Sequence, residues 1–298
     1  MNFKLETIFN LSYNFAPSVP SIENPNNNSF NKPSVLIANH SSSFDVLCMM
    51  TLNPNLLFVT NDSQQRNPFY GRIIRHADFY PISLGYGVLK EKLKPFVDAG
   101  FSIVVFPEGT RSTDNKIHRF HQGAFFLAQS LGLPITPVLI HGAGHVYPKN
   151  ALFLQSGAIS IRIEKTIEQN HKELFKENIL ETSRNFRHYF MTLYQNFSNK
   201  KEDFDYCKNI VISNYIYKGS EIAKAIKKGL DNYSQKLKNT NFSDKAIFKN
   251  CGYGEVPFLY ALLNPNTEVF AEDDNEHIEV AKNCKDLPKN ITFNIAQN

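Results

Sequence analysis

The chain has 298 residues, 42% of them hydrophobic and 20% charged, a length that suggests about two domains with a core each. Its four cysteines (Cys48, Cys207, Cys251, Cys284) lack metal-ligand or C-x-x-C spacing, which argues against a structural metal and for a reducing compartment. No apolar run approaches the roughly 18 residues of a membrane span, and no secretory signal pattern opens the chain, so the expectation is a protein neither integral nor secreted.

Residues 1–34, rich in Asn, Ser and Pro, read as an irregular lead-in. Strands are expected at Val35–Asn39, Leu56–Thr60, Phe79–Ile82, Ser102–Phe106, Ile135–His141 and Ala158–Ile163. Between them lie helical patterns at about Asp45–Leu52, Pro68–His76, Val88–Ala99 and Phe120–Leu131. A long helix, about Gln169–Phe197, closes this part. Such alternation predicts an α/β fold, a mixed sheet flanked by helices, over residues 35–200. The polar segment 198–205 is the expected boundary. Beyond it, residues 206–298 show a weak strand (Asn209–Ser213), a helix (about Ser220–Leu237), and strands at Ala246–Phe248, Glu268–Ala271 and about Asn290–Phe293 with helices between, a partial Rossmann-like α/β segment.

The net charge of +4 is unevenly placed. All eight arginines fall between Arg66 and Arg187; residues 1–200 hold 19 basic against 14 acidic side chains, and residues 201–298 hold 13 against 14. A basic first part suits phosphate-bearing ligands and anionic lipid surfaces, and nothing points to nucleic acid.

Val35-Leu36-Ile37-Ala38 runs directly into Asn39-His40-Ser41-Ser42-Ser43-Phe44-Asp45, a buried strand that ends in polar residues. A carboxylate bonded to one ring nitrogen of a histidine fixes its tautomer and frees the other nitrogen to take a proton. On a continuous helix His40 and Asp45 would point apart, since five residues turn about 140°. They meet only if His40 is in the turn and Asp45 in the first helical turn, with serines 41–43 capping the exposed N–H groups. Alone, the pair fits equally a histidine in a turn and an aspartate near a helix start.

A second stretch, Val104-Val105-Phe106-Pro107-Glu108-Gly109-Thr110-Arg111-Ser112, lies at the end of another strand. Together the two resemble the glycerolipid acyltransferase family, its lysophosphatidate-type (1-acylglycerol-3-phosphate) members. That family carries N-H-x-x-x-x-D and then F-P-E-G-T-R-S, in this order and at a fitting distance. The resemblance covers about residues 30–200. It implies transfer of a fatty acyl group from acyl-CoA or acyl-carrier protein to the hydroxyl of a lysophospholipid, with no cofactor. It casts His40 as general base and Asp45 as its orienter, and gives the acceptor phosphate to Glu108, Gly109, Thr110, Arg111 and Ser112. Arg111 offers a planar fork of donors, Gly109 a close backbone approach and Ser112 a further hydrogen bond, while Glu108 positions Arg111 or a backbone turn. Pro134-Ile135-Thr136-Pro137-Val138 corresponds to the fourth motif and would shape the acyl pocket.

Two departures bear on the head group. Ser83 and Leu84 stand where the second motif has Asp and Arg, so one phosphate-binding arginine is missing unless Arg72 or Arg75 reaches over; and His121 replaces a lysine. His141-Gly142-Ala143-Gly144 looks like a lipase oxyanion loop, but G-x-S-x-G is absent, so it reads as a post-strand turn. The alternatives are a thioesterase or lipid hydrolase, with water replacing the alcohol, and a non-catalytic lipid-binding module. The expected location is cytoplasmic, peripheral on the inner face of the cell membrane.

Asn250-Cys251-Gly252-Tyr253-Gly254, followed by Asp273, resembles the first half of a class I methyltransferase. By that resemblance Gly252 and Gly254 would let the backbone approach S-adenosylmethionine and Asp273 would hold its ribose. Asn250 replaces the usual acidic residue and Val256 the usual third glycine, and the chain ends after about three strands. A truncated unit that binds S-adenosylmethionine weakly or not at all is expected.

Overall fold

Four runs dominated by apolar residues, β2 (Val35–Ala38), β3 (Leu56–Thr60), β5 (Ser102–Val105) and β6 (Ile135–His141), are buried almost throughout. Such runs are what a sheet covered on both faces requires. In the computed structural model, which describes residues 20–60, 79–149, 154–155, 157–215, 218–237, 244–284 and 287–296, they lie at the centre of a seven-stranded mixed sheet. With β1 (Ser21–Glu23), β4 (Phe79–Pro81) and β7 (Ser160–Ile163), the order is β1-β7-β6-β2-β5-β3-β4. All neighbours run parallel except β6 and β7. The chain divides into two compact units, Met1–Asn199 and Lys200–Asn298.

Successive strand residues face opposite sides. Val35, Ile37, Ile103, Val105 and Leu139 pack with Leu89 and Leu93 of α2 (Tyr86–Asp98), Phe125 of α3 (Gly123–Leu131), and Phe186 and Phe190 of α5 (Ile179–Lys201). Leu36, Ala38, Phe58, Val104 and Val138 pack with Leu47, Cys48 and Met49 of α1 (Phe44–Met50) and with Val146 of α4 (Ala143–Val146). Gly100, at φ +95°, follows α2 in a conformation that disfavours other residues. No described helix is long and apolar enough to cross a membrane.

Three expectations need correction. The lead-in is not wholly irregular, because Ser21–Glu23 lies along the edge of β7, a pairing that local sequence does not encode. The closing helix begins at Ile179, not near Gln169. The Gln169 side chain instead donates to Ala128 O (2.6 Å) and Leu133 O (2.9 Å) at the end of α3, and Leu174 and Phe175 drop into the core. The helix expected over residues 68–76, together with Arg72 and Arg75, lies outside the described residues.

The third correction concerns the second unit, where α6 (Phe204–Tyr215) replaces the expected strand at 209–213. Cys207, Ile210, Val211 and Tyr215 form a helical stripe that packs with Leu230 of α7 (Ser220–Leu237) and with Phe258 and Leu259 of α8 (Glu255–Leu263). Strands β8 (Lys245–Lys249), β9 (Glu268–Asp273) and β10 (Ile291–Ile295) form a parallel sheet in the order β10-β9-β8, with α9 (Asn275–Lys282) between β9 and β10.

Candidate active site

Parallel neighbours present their carboxyl ends at one sheet edge, where α/β proteins commonly bind ligands. β2 lies between β5 and β6, with Ile37 opposite Val105 and Ala38 opposite Val138. The turns after these three strands therefore leave the sheet together. Asn39 extends the pairing past β2: its side chain donates to Ile140 O (2.8 Å) and accepts from Ile140 N (2.9 Å).

His40 lies in the turn after β2, and Asp45 is the second residue of α1. Their side chains meet, His40 Nδ1 to Asp45 Oδ2 at 2.9 Å, with the histidine side chain 11% exposed and the aspartate 0%. The same Oδ2 accepts the main-chain N–H groups of Ser41 and Ser42, each at 2.7 Å. A carboxylate held this way makes Nδ1 the protonated nitrogen and leaves Nε2 to accept a proton. Asp45 Oδ1 is buried and has no hydrogen-bond partner among the described residues. The Phe106 ring stacks on His40 with centroids 4.3 Å apart, restricting the imidazole further. Of the three serines, Ser42 caps: its Oγ accepts Phe44 N at 3.1 Å.

Glu108 is 4% exposed and bonds to main chain rather than to Arg111. Oε1 accepts His40 N and Oε2 accepts His118 N, both at 2.9 Å. Burial raises its carboxyl above the usual range, and these two bonds oppose that rise. Ser112 N donates to His40 O at 2.7 Å, so the second motif grips the His40 peptide at both its N–H and its carbonyl. Ser112 Oγ donates to Asp114 (2.8 Å). Arg111 Nη1 donates to Ser43 Oγ (2.8 Å), Thr110 is exposed, and Gly109 holds φ +68°, where a Cβ would lie 3.1 Å from His121 Cδ2. His40, Asp45, Glu108, Arg111 and Ser112 are thus one connected constellation.

Ser83 and Leu84 form a short 3₁₀ turn, Ile82–Leu84, that carries no cation. His141 is buried beside Tyr194 and Phe197 of α5, and Gly142, at φ +85°, turns the chain into α4. Sequence reasoning gave no role to Asn39 or Phe106, and expected Ser43 to cap N–H groups rather than to accept from Arg111; Asn39 and Phe106 lie inside the motifs, which was the available signal.

In the second unit, Asp273 lies at the end of β9. Its Oδ2 accepts Gly252 N (2.8 Å), and its Oδ1 meets His277 Nδ1 (3.0 Å) and Asp274 N (2.8 Å). Burial raises the Asp273 carboxyl, but these bonds outweigh it and hold the group below its usual range. The place of a Cβ on Gly254 is filled by Phe293 and Ala281, so this glycine serves packing. These residues fit S-adenosylmethionine poorly: three of the roughly four acceptor positions of the Asp273 carboxylate already bond its own chain, and Gly254 offers no open approach.

Residues 19–141 match the acyltransferase family model. The 1-acyl-sn-glycerol-3-phosphate acyltransferase BAT2, chloroplastic, of Brassica napus is 28% identical over 48% of this chain and 43% of its own length. The 1-acyl-sn-glycerol-3-phosphate acyltransferase of Saccharomyces cerevisiae is 31% identical over 52% of this chain and 54% of its own. The chain spans about half the length of these curated relatives. Among solved structures, the 1-acyl-sn-glycerophosphate (LPA) acyltransferase PlsC of Thermotoga maritima aligns with TM-score 0.48 and 23% identity, covering 61% of this chain and 73% of that one.

Proposed function

We propose that the first unit, an acyltransferase-family domain by its match over residues 19–141, moves a fatty acyl group from a thioester to a lysophospholipid hydroxyl. The donor is acyl-CoA or acyl-carrier protein, and the acceptor is of the 1-acylglycerol-3-phosphate type. The observation that carries this reading is the His40–Asp45 pair, fixed at its main chain by Glu108 and Ser112.

An alcohol is a poor nucleophile at neutral pH, so its proton must leave as it attacks. His40 Nε2 takes that proton while the oxygen bonds to the thioester carbonyl carbon. The C–S bond then breaks, and the imidazolium returns the proton to the departing thiolate. The thioester is already activated, so no acyl-enzyme is needed. Asp45 stabilises the imidazolium and holds the Nδ1–H tautomer. Arg111 binds the acceptor phosphate from beside the His40 turn, to which its Nη1 is bonded through Ser43. The basic first part draws the unit to the anionic inner face of the cell membrane, where the lysophospholipid acceptor resides.

The test is incubation of the full chain with labelled acyl-CoA or acyl-carrier protein and a panel of lysolipids, with products resolved by mass. A diacylated phospholipid is expected. Thioester hydrolysis without transfer to any lysolipid would replace this reading with a hydrolase.

A further inference from the structure

We infer that Lys149 is the second cation of the acceptor head-group site, acting beside Arg111 on a phosphomonoester; this rests on the acyl-acceptor reading above. A phosphomonoester carries close to two negative charges near neutrality. The 3₁₀ turn Ile82–Leu84 carries no cation. Lys149 comes from another part of the chain, the loop after α4. Its Nζ donates to Arg111 O at 3.1 Å and lies 3.4 Å from Thr110 Oγ1.

Both of these partners are neutral oxygens, so the charge of Lys149 is not neutralised by them. Neither Lys149 nor Arg111 forms an ion pair with a carboxylate among the described residues. Asp114, two residues after Ser112, is engaged by Ser112 Oγ (2.8 Å) and His118 Nε2 (2.9 Å). An ammonium has three protons, so one remains for a ligand beyond these two contacts.

The loop is held in place. Ser42 Oγ donates to Tyr147 O at 2.8 Å, and the Tyr147 ring packs on Phe44, centroids 5.4 Å apart. A Cβ on Gly144 would overlap Asn115 Oδ1 and press on Ser41 Cβ, so α4, from which the loop leaves, fits closely between the two motif turns. Lys149 is therefore positioned by the same turn that carries His40.

The test uses the full chain and its Lys149→Ala and Lys149→Arg variants. Calorimetry measures binding of a short-chain lysophosphatidate, kept below its micelle concentration, and of the monoacylglycerol with the same chain; acyl transfer to each is followed in parallel. Lys149→Ala is expected to weaken lysophosphatidate binding about tenfold, with a matching rise in KM. Monoacylglycerol should stay within about twofold, and Lys149→Arg should retain most of the affinity. Equal losses on both lysolipids, or no loss, would overturn the assignment and leave Lys149 a tie between two loops. A wild-type chain that binds both lysolipids alike would overturn it as well. Selective binding of lysophosphatidate without acyl transfer would sink the reaction proposed above while still judging Lys149 by affinity.

Discussion

Glu108 holds His40 by its main chain and not by its ring, accepting the His40 N–H at 2.9 Å. The other carboxylate oxygen accepts His118 N, so one buried side chain spans the turn after β2 and the loop after β5. Removing it strands two N–H groups, each costing about 1–3 kcal/mol if left unpaired. Glu108→Ala is therefore expected to lower stability by about 2–6 kcal/mol in urea unfolding. Glu108→Gln, which keeps one acceptor, should cost about half as much. Because the role is positional, turnover of either variant should fall alike with phosphorylated and unphosphorylated acceptors. A loss confined to the phosphorylated acceptor would mean that Glu108 acts on the head group.

His40 and Asp45 act as a unit, so their losses should not add. His40→Ala should lower turnover by roughly 10²–10⁴-fold, the usual range for a positioned base. Asp45→Asn should impair it too, since an amide can turn a donor toward the two serine N–H groups or the ring. The double variant should be little worse than His40→Ala, as single-turnover assays can show. Normal turnover by His40→Ala would end the assignment.

Arg111→Ala should discriminate between acceptors. Its guanidinium touches Ser43 and is proposed to bind the phosphate, a group remote from the reacting hydroxyl. The variant should lose much more kcat/KM with lysophosphatidate than with the matching monoacylglycerol. The same loss on both would make Arg111 a brace for the His40 turn.

The basic first part predicts binding to anionic vesicles that weakens with salt, because exposed charges are screened over about 8 Å at physiological ionic strength. Sedimentation with neutral and anionic vesicles at two salt concentrations is the check. Equal binding to both kinds would rule out the electrostatic part.

In the second unit, Glu255 carries a pH dependence. Burial above all raises its carboxyl from 4.5 to about 7, and its Oε2 is buried with no hydrogen-bond partner among the described residues. A folded pKa above the unfolded one means that the folded state holds the extra proton between those values. Stability is then full below about pH 4.5 and falls as pH rises toward 7, by about 3 kcal/mol at most. His277, held above its ordinary value by its bond to Asp273, adds to the fall at higher pH. Glu255→Gln isolates the carboxyl: hydrogen exchange of α8 amides between pH 5 and 8 should show a flatter profile and a more stable unit above pH 7. An unchanged profile would remove Glu255 from the account.

The strand–helix order was legible because buried strands and amphipathic helices write their periods locally. The turn geometry that lets His40 reach Asp45 was legible too, since five residues on a helix point apart and only a turn followed by a helix start joins them. The sequence separation of 68 residues between His40 and Glu108 says nothing of contact. That contact exists because β2 and β5 are parallel neighbours in register, and strand order is set by packing over the whole sheet. For the same reason the pairing of Ser21–Glu23 with β7 could not be read locally. The Asn209–Ser213 stretch looked strand-like alone, but the stripe from Cys207 to Tyr215 is helical once Leu230 and Phe258 cover it. Lys149 carries no motif; only the loop after β6, folding over the turns after β2 and β5, brings its ammonium to Arg111. Local periodicity and motif chemistry are properties of adjacent residues, whereas the partner of a buried carboxylate or of a distant lysine is decided by which strand ends share an edge.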